Sequence, residues 1–487
     1  MHQDTPDTKR EAFPLTNLEN GIVGWDSQDD PLNPRNYPPS RKWFLLSLVS
    51  IITLISPFAS SVLAPALADV NGEFGNGSSI RGSFVVTGYL FGYGSGPLLF
   101  SPLSEIYGRR VILSIANFFF VLFQIGCALA PNLSALIVFR VLTGIGGSAC
   151  LTIGGGVVSD LFAAEHRGLA MSIFSFGPLF GPVLGPICGG FIAQGAGWRW
   201  IFWVLLIVGG TVATMVMVFN RETNPTILIQ RKTKLLRSKL QRPELRSCYE
   251  TEQGPPRKHT DRLRRGLTTP LQLLFRSPIV SIIALYIATV YGCLYLLFTT
   301  VTDVFQNTYG WSLQVSGLSY IGLGLGFISG QCLFGILSDK IILRLQRRNN
   351  SVFQPEMRLP LSIFFAIFVP ISFFWYGWSI KARTHWIVPI IGLFPFAFGM
   401  VGIFATLQTY VIDSYPRYAA SAVAAITVCR SLFGALLPLA GPYMYRSLGY
   451  GWGNSLLGFV TLAMIPMPVI FYKFGETLRL KATLNLN

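Results

Sequence analysis

The sequence predicts an all-helical membrane protein with twelve transmembrane helices in two six-helix bundles. Three observations predict it. The first is composition: 51% of the 487 residues are hydrophobic and 12% are charged, with a mean hydropathy of +0.50, against about 25% charged in an ordinary soluble domain. No soluble core could hide that much apolar surface, so lipid is the expected solvent. The second is spacing. Apolar runs close to the ~20 residues a helix needs to cross hydrocarbon fall at 43–68, 80–103, 111–130, 134–159, 169–194 and 199–220, and after a gap at 279–303, 312–337, 358–380, 385–411, 418–445 and 450–473. The third is charge placement. The formal net charge is +16, which in a soluble chain would raise nucleic-acid binding; here the excess lies in short segments between apolar runs, as membrane orientation demands.

Residues 1–42 form a polar tail without the apolar core and small-residue cleavage site of a signal peptide. Its Leu32–Pro38 stretch is too proline-rich for an ordinary helix. Pro57, Pro65 and many glycines fall inside spans, where neighbouring helices re-satisfy freed backbone groups. Residues 221–278 carry fourteen Lys/Arg and five acids and no apolar run long enough to cross, so they read as a basic linker between the bundles 43–220 and 279–473, and 474–487 as a second tail. An even number of crossings puts both tails on one side. Arg41, Lys42, Arg109, Arg110, Arg167, the linker, Arg344, Arg347 and Arg348 mark that side as cytoplasmic, against Lys381, Arg383 and Arg446 opposite. Sequons at Asn76 and Asn132 then fall in outer loops as glycosylation candidates. Six of the seven cysteines lie in apolar runs and one, Cys248, in the linker, with no metal-ligand spacing, so neither metal nor cofactor is expected.

Four stretches carry chemistry. Ser101–Arg110 is a charged turn between two apolar runs, echoed at Gly335–Lys340 in the second half, which suggests an internal repeat. Gly108 permits a positive φ; Glu105 can pair with a helix N-terminus or a cation; Asp160 can pair with Arg109 or Arg110. The bland reading is a solvated turn that fixes topology. Arg140, inside span 4, costs about 2.5–3.5 kcal/mol on the insertion scale, so it faces a wet cavity or a partner, or else snorkels to the outer interface. No acid lies at mid-depth in spans 1 to 6, and the proton acceptor is not identified. In span 5, glycines at 177, 181, 185 and 189, with Gly190, and prolines at 178, 182 and 186 line one helix face at four-residue spacing and allow close helix contact. Span 11 places Arg430 near mid-depth, where it binds either an anionic substrate group or a backbone carbonyl. Tyr89, Tyr93, Gln124, Tyr286, Tyr291, Tyr295, Tyr320, Gln331 and Gln408 are the polar and aromatic candidates for an apolar cavity.

Pro102-Leu103-Ser104-Glu105-Ile106-Tyr107-Gly108-Arg109-Arg110 resembles the loop G-x-x-x-D-[RK]-x-G-[RK]-[RK] of the major facilitator superfamily, with Ser101 and Ile106 as departures, and looks like the form in fungal twelve-span drug:proton antiporters. The resemblance implies the major facilitator fold and a conformational latch of Glu105, Gly108, Arg109, Arg110, Asp160 and, in the echo, Asp339, with Glu105 facing the start of span 11. Arg140–Gly147 resembles the superfamily's R-x-x-x-G-x-G, which implies proton coupling by Arg140. The span 5 face (Gly177, Pro178, Gly181, Pro182, Gly185, Pro186, Gly189, Gly190) resembles the antiporter motif of exporters. Asn33-Pro34-Arg35-Asn36, Trp198-Arg199-Trp200 and Arg358-Leu359-Pro360 are also similar to fungal members. The resemblance as a whole implies a monomeric secondary transporter in the plasma membrane, or alternatively the vacuolar membrane. It would export a small organic compound in exchange for protons; the substrate would lie against Tyr89, Tyr93, Gln124, Tyr291, Tyr295, Gln331, Gln408 and Arg430. No nucleic acid partner is expected, and no G-x-x-x-x-G-K-[ST] supports ATP drive. The rival readings are a proton-coupled importer or facilitator of a nutrient or organic acid, and a membrane enzyme or receptor.

Overall fold

A computed structural model describes residues 13–252, 259–349, 353–415 and 418–481. The polar tail pairs a short strand β1 (Ile22–Val23) and makes a 3-10 turn at Pro34–Asn36, capped by the Asn33 side chain. The helices run in order: α1 (Pro39–Ser61), α2 (Leu67–Glu73), α3 (Ser79–Tyr107), α4 (Arg109–Ala128), α5 (Leu133–Leu161), α6 (Ala164–Ala196) and α7 (Arg199–Phe219). The linker then folds as α8 (Pro225–Leu240), β2 (Arg246–Ser247), α9 (Cys248–Glu252) and α10 (His259–Arg276). The second half has α11 (Pro278–Tyr309), α12 (Leu313–Gly317), α13 (Ile321–Arg348), α14 (Leu359–Ala366), α15 (Phe368–Lys381), α16 (Ile387–Ser414), α17 (Ala419–Met464) and α18 (Pro466–Lys481).

Among the described residues, ten helical stretches have the length and apolarity of membrane spans. Two facts reconcile this with twelve. The 29-residue α3 is long enough but diluted by glycine, serine and tyrosine, because it packs directly on α5: a Cβ on Gly92 would come within 2.7 Å of the Ile145 nitrogen. The stretch Ala419–Leu478 counts once but holds two spans. They meet at Gly449, whose φ of 69° and ψ of 174° break the helix. Side chains such as Phe118, Leu129, Met217, Phe219 and Phe459 are exposed to the outside, an apolar surface far larger than a soluble monomer carries.

Local sequence sets the boundaries. Asn132 starts α5 by accepting from the Ala135 nitrogen at 2.8 Å, and prolines open α1, α8 and α11, where a missing N–H costs nothing. Span 1 ends at Ser61 rather than 68. Its chain turns at 62–66, with Ala64 bonding back to Ser61, and Pro65 cannot extend the ladder. Two large hydrophobic cores form: one from Tyr37 to Val216, the other from Leu273 to Phe471 with Leu90 and Val183 reaching into it from the first half. The linker is more ordered than a charged gap suggests. β1 and β2 pair in parallel, Ile22 opposite Arg246 and Val23 opposite Ser247, over a small third core of Val23, Trp25, Ile229, Leu245 and Cys248. Helix α10 lies against α3, α11 and α17. The Arg167 side chain, Pro416, the first twelve residues and residues 482–487 lie outside the described residues.

Candidate functional site

Only Gly108 separates α3 from α4, at φ 103°. That angle favours glycine, and a Cβ there would also collide with the Glu222 carboxylate. The first N–H groups of α4 have no partner within the helix. Glu222, from the extended link after α7, supplies one: it accepts from the Arg109 nitrogen at 2.8 Å and the Arg110 nitrogen at 3.4 Å, and from the Thr223 and Asn224 nitrogens at 3.2 and 3.0 Å. A carboxylate at a helix N-terminus is stabilised by the same field that draws anions there. The Arg109 side chain donates to Ser104 Oγ at 2.6 Å and lies 3.6 Å from Asp160, which also accepts from Thr223. Arg110 donates to the Met217 carbonyl at 3.1 Å, at the end of α7.

The turn therefore stitches α3, α4, α5 and the end of α7 together, all within the first half. Arg109, Arg110, Gly108 and Asp160 meet as expected from their spacing, but Glu105 does not join them. It is exposed and makes no ion pair among the described residues. It sits on the last turn of α3 next to the buried Ser104, and Glu222 already takes the first N–H groups of α4. Glu222 was missed by sequence reasoning; its signal was a lone acid in a short polar link ahead of an Asn cap and a Pro, Glu222-Thr223-Asn224-Pro225. In the second half Asp339 is likewise exposed and without an ion pair among the described residues. The charge pair there is Arg358 with Asp413, at the same end of the molecule.

Arg140 is fully buried. Its guanidinium donates to the carbonyls of Ala59 (2.6 Å), Ser60 (2.9 Å), Val85 (3.1 Å) and Val86 (3.5 Å), and lies 5.0 Å from the Tyr89 ring centroid. The Ala59 and Ser60 carbonyls belong to the last turn of α1, which leaves its final acceptors unsatisfied. A cation at a helix C-terminus is favourable. The snorkelling alternative therefore does not describe this residue; it joins α1, α3 and α5 by bonding backbone oxygens.

The α6 glycines form the expected face, and its partner is α1. A Cβ on Gly177 would lie 2.8 Å from the Leu54 nitrogen, on Gly181 2.6 Å from the Leu54 oxygen, and on Gly185 2.8 Å from the Phe58 oxygen; Gly189 meets the Val62 backbone. The prolines have a second effect. Pro186 has no N–H for the Pro182 carbonyl, and Ser61 Oγ donates to that oxygen at 2.7 Å. Beyond this face the helix reaches the second half. Gly190 abuts the Leu313 carbonyl, Gly317 the Pro186 carbonyl, and the Gln194 side chain accepts from the Gln314 nitrogen at 2.9 Å.

Between the halves lies an aromatic cluster. Tyr89 and Tyr93 have ring centroids 5.8 Å apart, Tyr291 and Tyr295 5.1 Å. Tyr89 shares hydrogen bonds with Ser56, and Tyr295 meets Ser60 Oγ at 2.8 Å across the two halves. Arg430, on α17, is 7% exposed, and its Cζ lies 5.0 Å from the Tyr291 centroid and 4.9 Å from that of Phe404. It has no hydrogen bond or ion pair among the described residues, and its buried Nε is unpartnered. Of the remaining candidates, Gln408 is half-buried, one turn from Phe404 on α16. Gln331 is half-buried on α13. Gln124 is buried on α4 with neither amide atom bonded among the described residues. Tyr286 and Tyr320 belong to the second core, and Tyr320 donates to the Phe298 carbonyl at 2.9 Å.

The opposite ends of the first-half helices are tied separately. Glu73 pairs with Arg199 and accepts from Trp198 Nε1 at 2.6 Å, while Arg199 also donates to the Ala130 carbonyl at 3.2 Å. The Arg199 hydrogen bond, more than any other contact, holds the Glu73 carboxyl below its ordinary range. Asn76 is half-buried and its amide nitrogen donates to the Asn71 side chain and the Ser78 carbonyl, whereas Asn132 is exposed with its oxygen committed to the α5 cap.

The profile of the Major Facilitator Superfamily matches residues 49–438. The chain is 46% identical over 462 residues to the MFS transporter cpaT of Aspergillus oryzae, covering 94% of this chain and 92% of that protein. It is 41% identical over 459 residues to the efflux pump radE of Floropilus chiversii, covering 94% and 85%. Among solved structures it is similar to the xylose transporter XylE from E. coli in a partially occluded inward-open conformation, with a TM-score of 0.65, 18% identity, and 89% and 98% of the two chains covered. By fold, by helical packing and by relatives matched nearly end to end, the chain belongs to the major facilitator superfamily and is a multi-pass membrane transporter of small molecules rather than an enzyme.

Proposed function

We propose that this transporter exports a small organic compound (a drug, toxin or secondary metabolite) in exchange for protons. The bundles 43–220 and 279–473 alternate access around the aromatic cluster, as a monomer in the plasma membrane with both tails in the cytoplasm. The observation that carries this reading is α6: its glycine–proline face, which resembles the antiporter motif of exporters, is seated on α1 while its far end meets α12 of the other half. Small residues at that spacing let the two backbones approach closely. The relative named as an efflux pump supports the same direction.

Proton coupling centres on Arg140. A run of contacts leads from its bond to the Ser60 carbonyl, through Ser60 Oγ and Tyr295, to Tyr291 and Arg430. The test is comparative export in the producing organism. Deleting the gene should raise the intracellular level of one small compound and deplete it from the medium, and a protonophore should reproduce the shift in the intact strain. Identical intracellular and medium profiles with and without the gene would overturn the reading.

A further inference from the structure

In the aromatic cluster, Arg430 is 7% exposed, forms no hydrogen bond or ion pair among the described residues, and has a buried Nε without a partner. The Tyr291 and Phe404 rings attract the cation through their quadrupoles; they offer its N–H donors no oxygen acceptor. A buried guanidinium with unused donors is costly unless something supplies an acceptor.

The described chain does not supply one nearby. On α11 the acid is Asp303, twelve residues from Tyr291, about 18 Å along a helix. On α3 it is Glu105, equally far from Tyr93. On α16 it is Asp413, already bound to Arg358. Ser431, the next residue on α17, adds a second buried polar atom, an Oγ with no partner, and abuts Gly94 of α3. One turn on, Gly434 packs against Leu90 and Tyr291. Arg430 thus stands on the seam between the halves, where an alternating-access carrier holds its cargo.

We infer that the exported compound is a monovalent organic acid. Its ionised oxygens, a carboxylate or a delocalised enolate, dock on the Arg430 guanidinium, and its apolar or aromatic body lies within the tyrosine and phenylalanine walls. A guanidinium matches a two-oxygen anion through paired N–H donors, and a single cation calls for a single negative charge. The inference rests on the export reading and names the substrate class for it.

Two measurements on the purified, full-length protein separate the two claims. The first is thermal stabilisation in detergent by 2-naphthoate, by the neutral 2-naphthamide and by 2-naphthylmethylammonium. Naphthoate alone should raise the Tm of the native protein. In Arg430→Gln its apparent Kd should weaken tenfold or more, while Arg430→Lys should keep part of the shift. The unliganded Arg430→Gln protein should melt no lower than the native one, which shows that it is folded. No naphthoate shift, an equal shift in Arg430→Gln, or a larger shift with the amide or the ammonium would overturn the anion site. The second is flux in proteoliposomes with an imposed proton gradient at pH 7 or above, with resorufin, a delocalised monoanion there, as the acid and rhodamine 6G as the cation. Gradient-driven resorufin flux that falls tenfold in Arg430→Gln supports both claims. Rhodamine flux without resorufin flux keeps the export reading and sinks the acid. Naphthoate binding with no gradient-driven flux of either dye keeps the anion site and sinks export.

Discussion

Arg140 and Arg430 are both buried in the membrane interior of this transporter, and they are buried in opposite ways. Arg140 has its donors committed to four backbone carbonyls on two neighbouring helices. Arg430 touches two rings and bonds nothing among the described residues. A charge whose partners are backbone atoms of the protein is part of the frame. A charge whose partners are absent is waiting for something that comes and goes. The same residue type, with a tyrosine ring beside each, is therefore held by backbone carbonyls in one half and left open to a ligand in the other.

The comparison can be broken most directly by removing each charge in turn. Arg140→Gln should cost about 3 kcal/mol or more of stability, since it leaves buried carbonyls without a strong donor, and Arg430→Gln should cost nothing measurable; equal losses of Tm in detergent would erase the distinction. Next in size is packing. Gly185→Leu, against the α1 backbone, should cost about 1–3 kcal/mol and stop export or make the protein leak. Gly195→Leu, on the same helix with open space around it, should do neither, as measured by dye retention in proteoliposomes. A smaller effect separates two carboxylates. Glu222→Gln should lose about 1 kcal/mol at the α4 N-terminus and slow flux at unchanged surface expression, while Glu105→Gln stays within about 0.5 kcal/mol; a larger loss in Glu105→Gln would restore it to the latch. The smallest concerns pH. The depressed carboxyl of Glu73 contributes stability above its unfolded pKa, and that contribution fades as pH falls through the lower folded value. The pair is partly exposed, so the effect should stay below about 1 kcal/mol. Melting curves of native and Glu73→Gln protein should converge at acid pH, and curves that stay parallel from neutral to acid pH would remove the pair from the stability of the outer loops.

The fold was legible because lipid imposes a simple rule: apolar runs of helical length, and charge between them. The α6 face was legible for the same kind of reason, a four-residue repeat that only one helix surface explains. What escaped were partners supplied by the backbone or by remote sequence. Arg140 had no acid to pair with, and carbonyls left over at the end of α1 carry no residue-type signature. Glu222 lies 113 residues from the helix it caps, and nothing in Ser101–Arg110 announces that the nearby Glu105 will be passed over. The second-half echo misled for a related reason: Asp339 repeats the letter pattern, but the ion pair at that end forms between Arg358 and Asp413.

The parallel pairing of Ile22–Val23 with Arg246–Ser247 has a consequence for biogenesis. The early strand leaves the ribosome more than two hundred residues before its mate, which at about 5–20 residues per second is a wait of roughly 10–45 s. During that interval the first six crossings must insert. Closure of the little sheet is then a time stamp: it records that the leading bundle has been threaded before the trailing one begins.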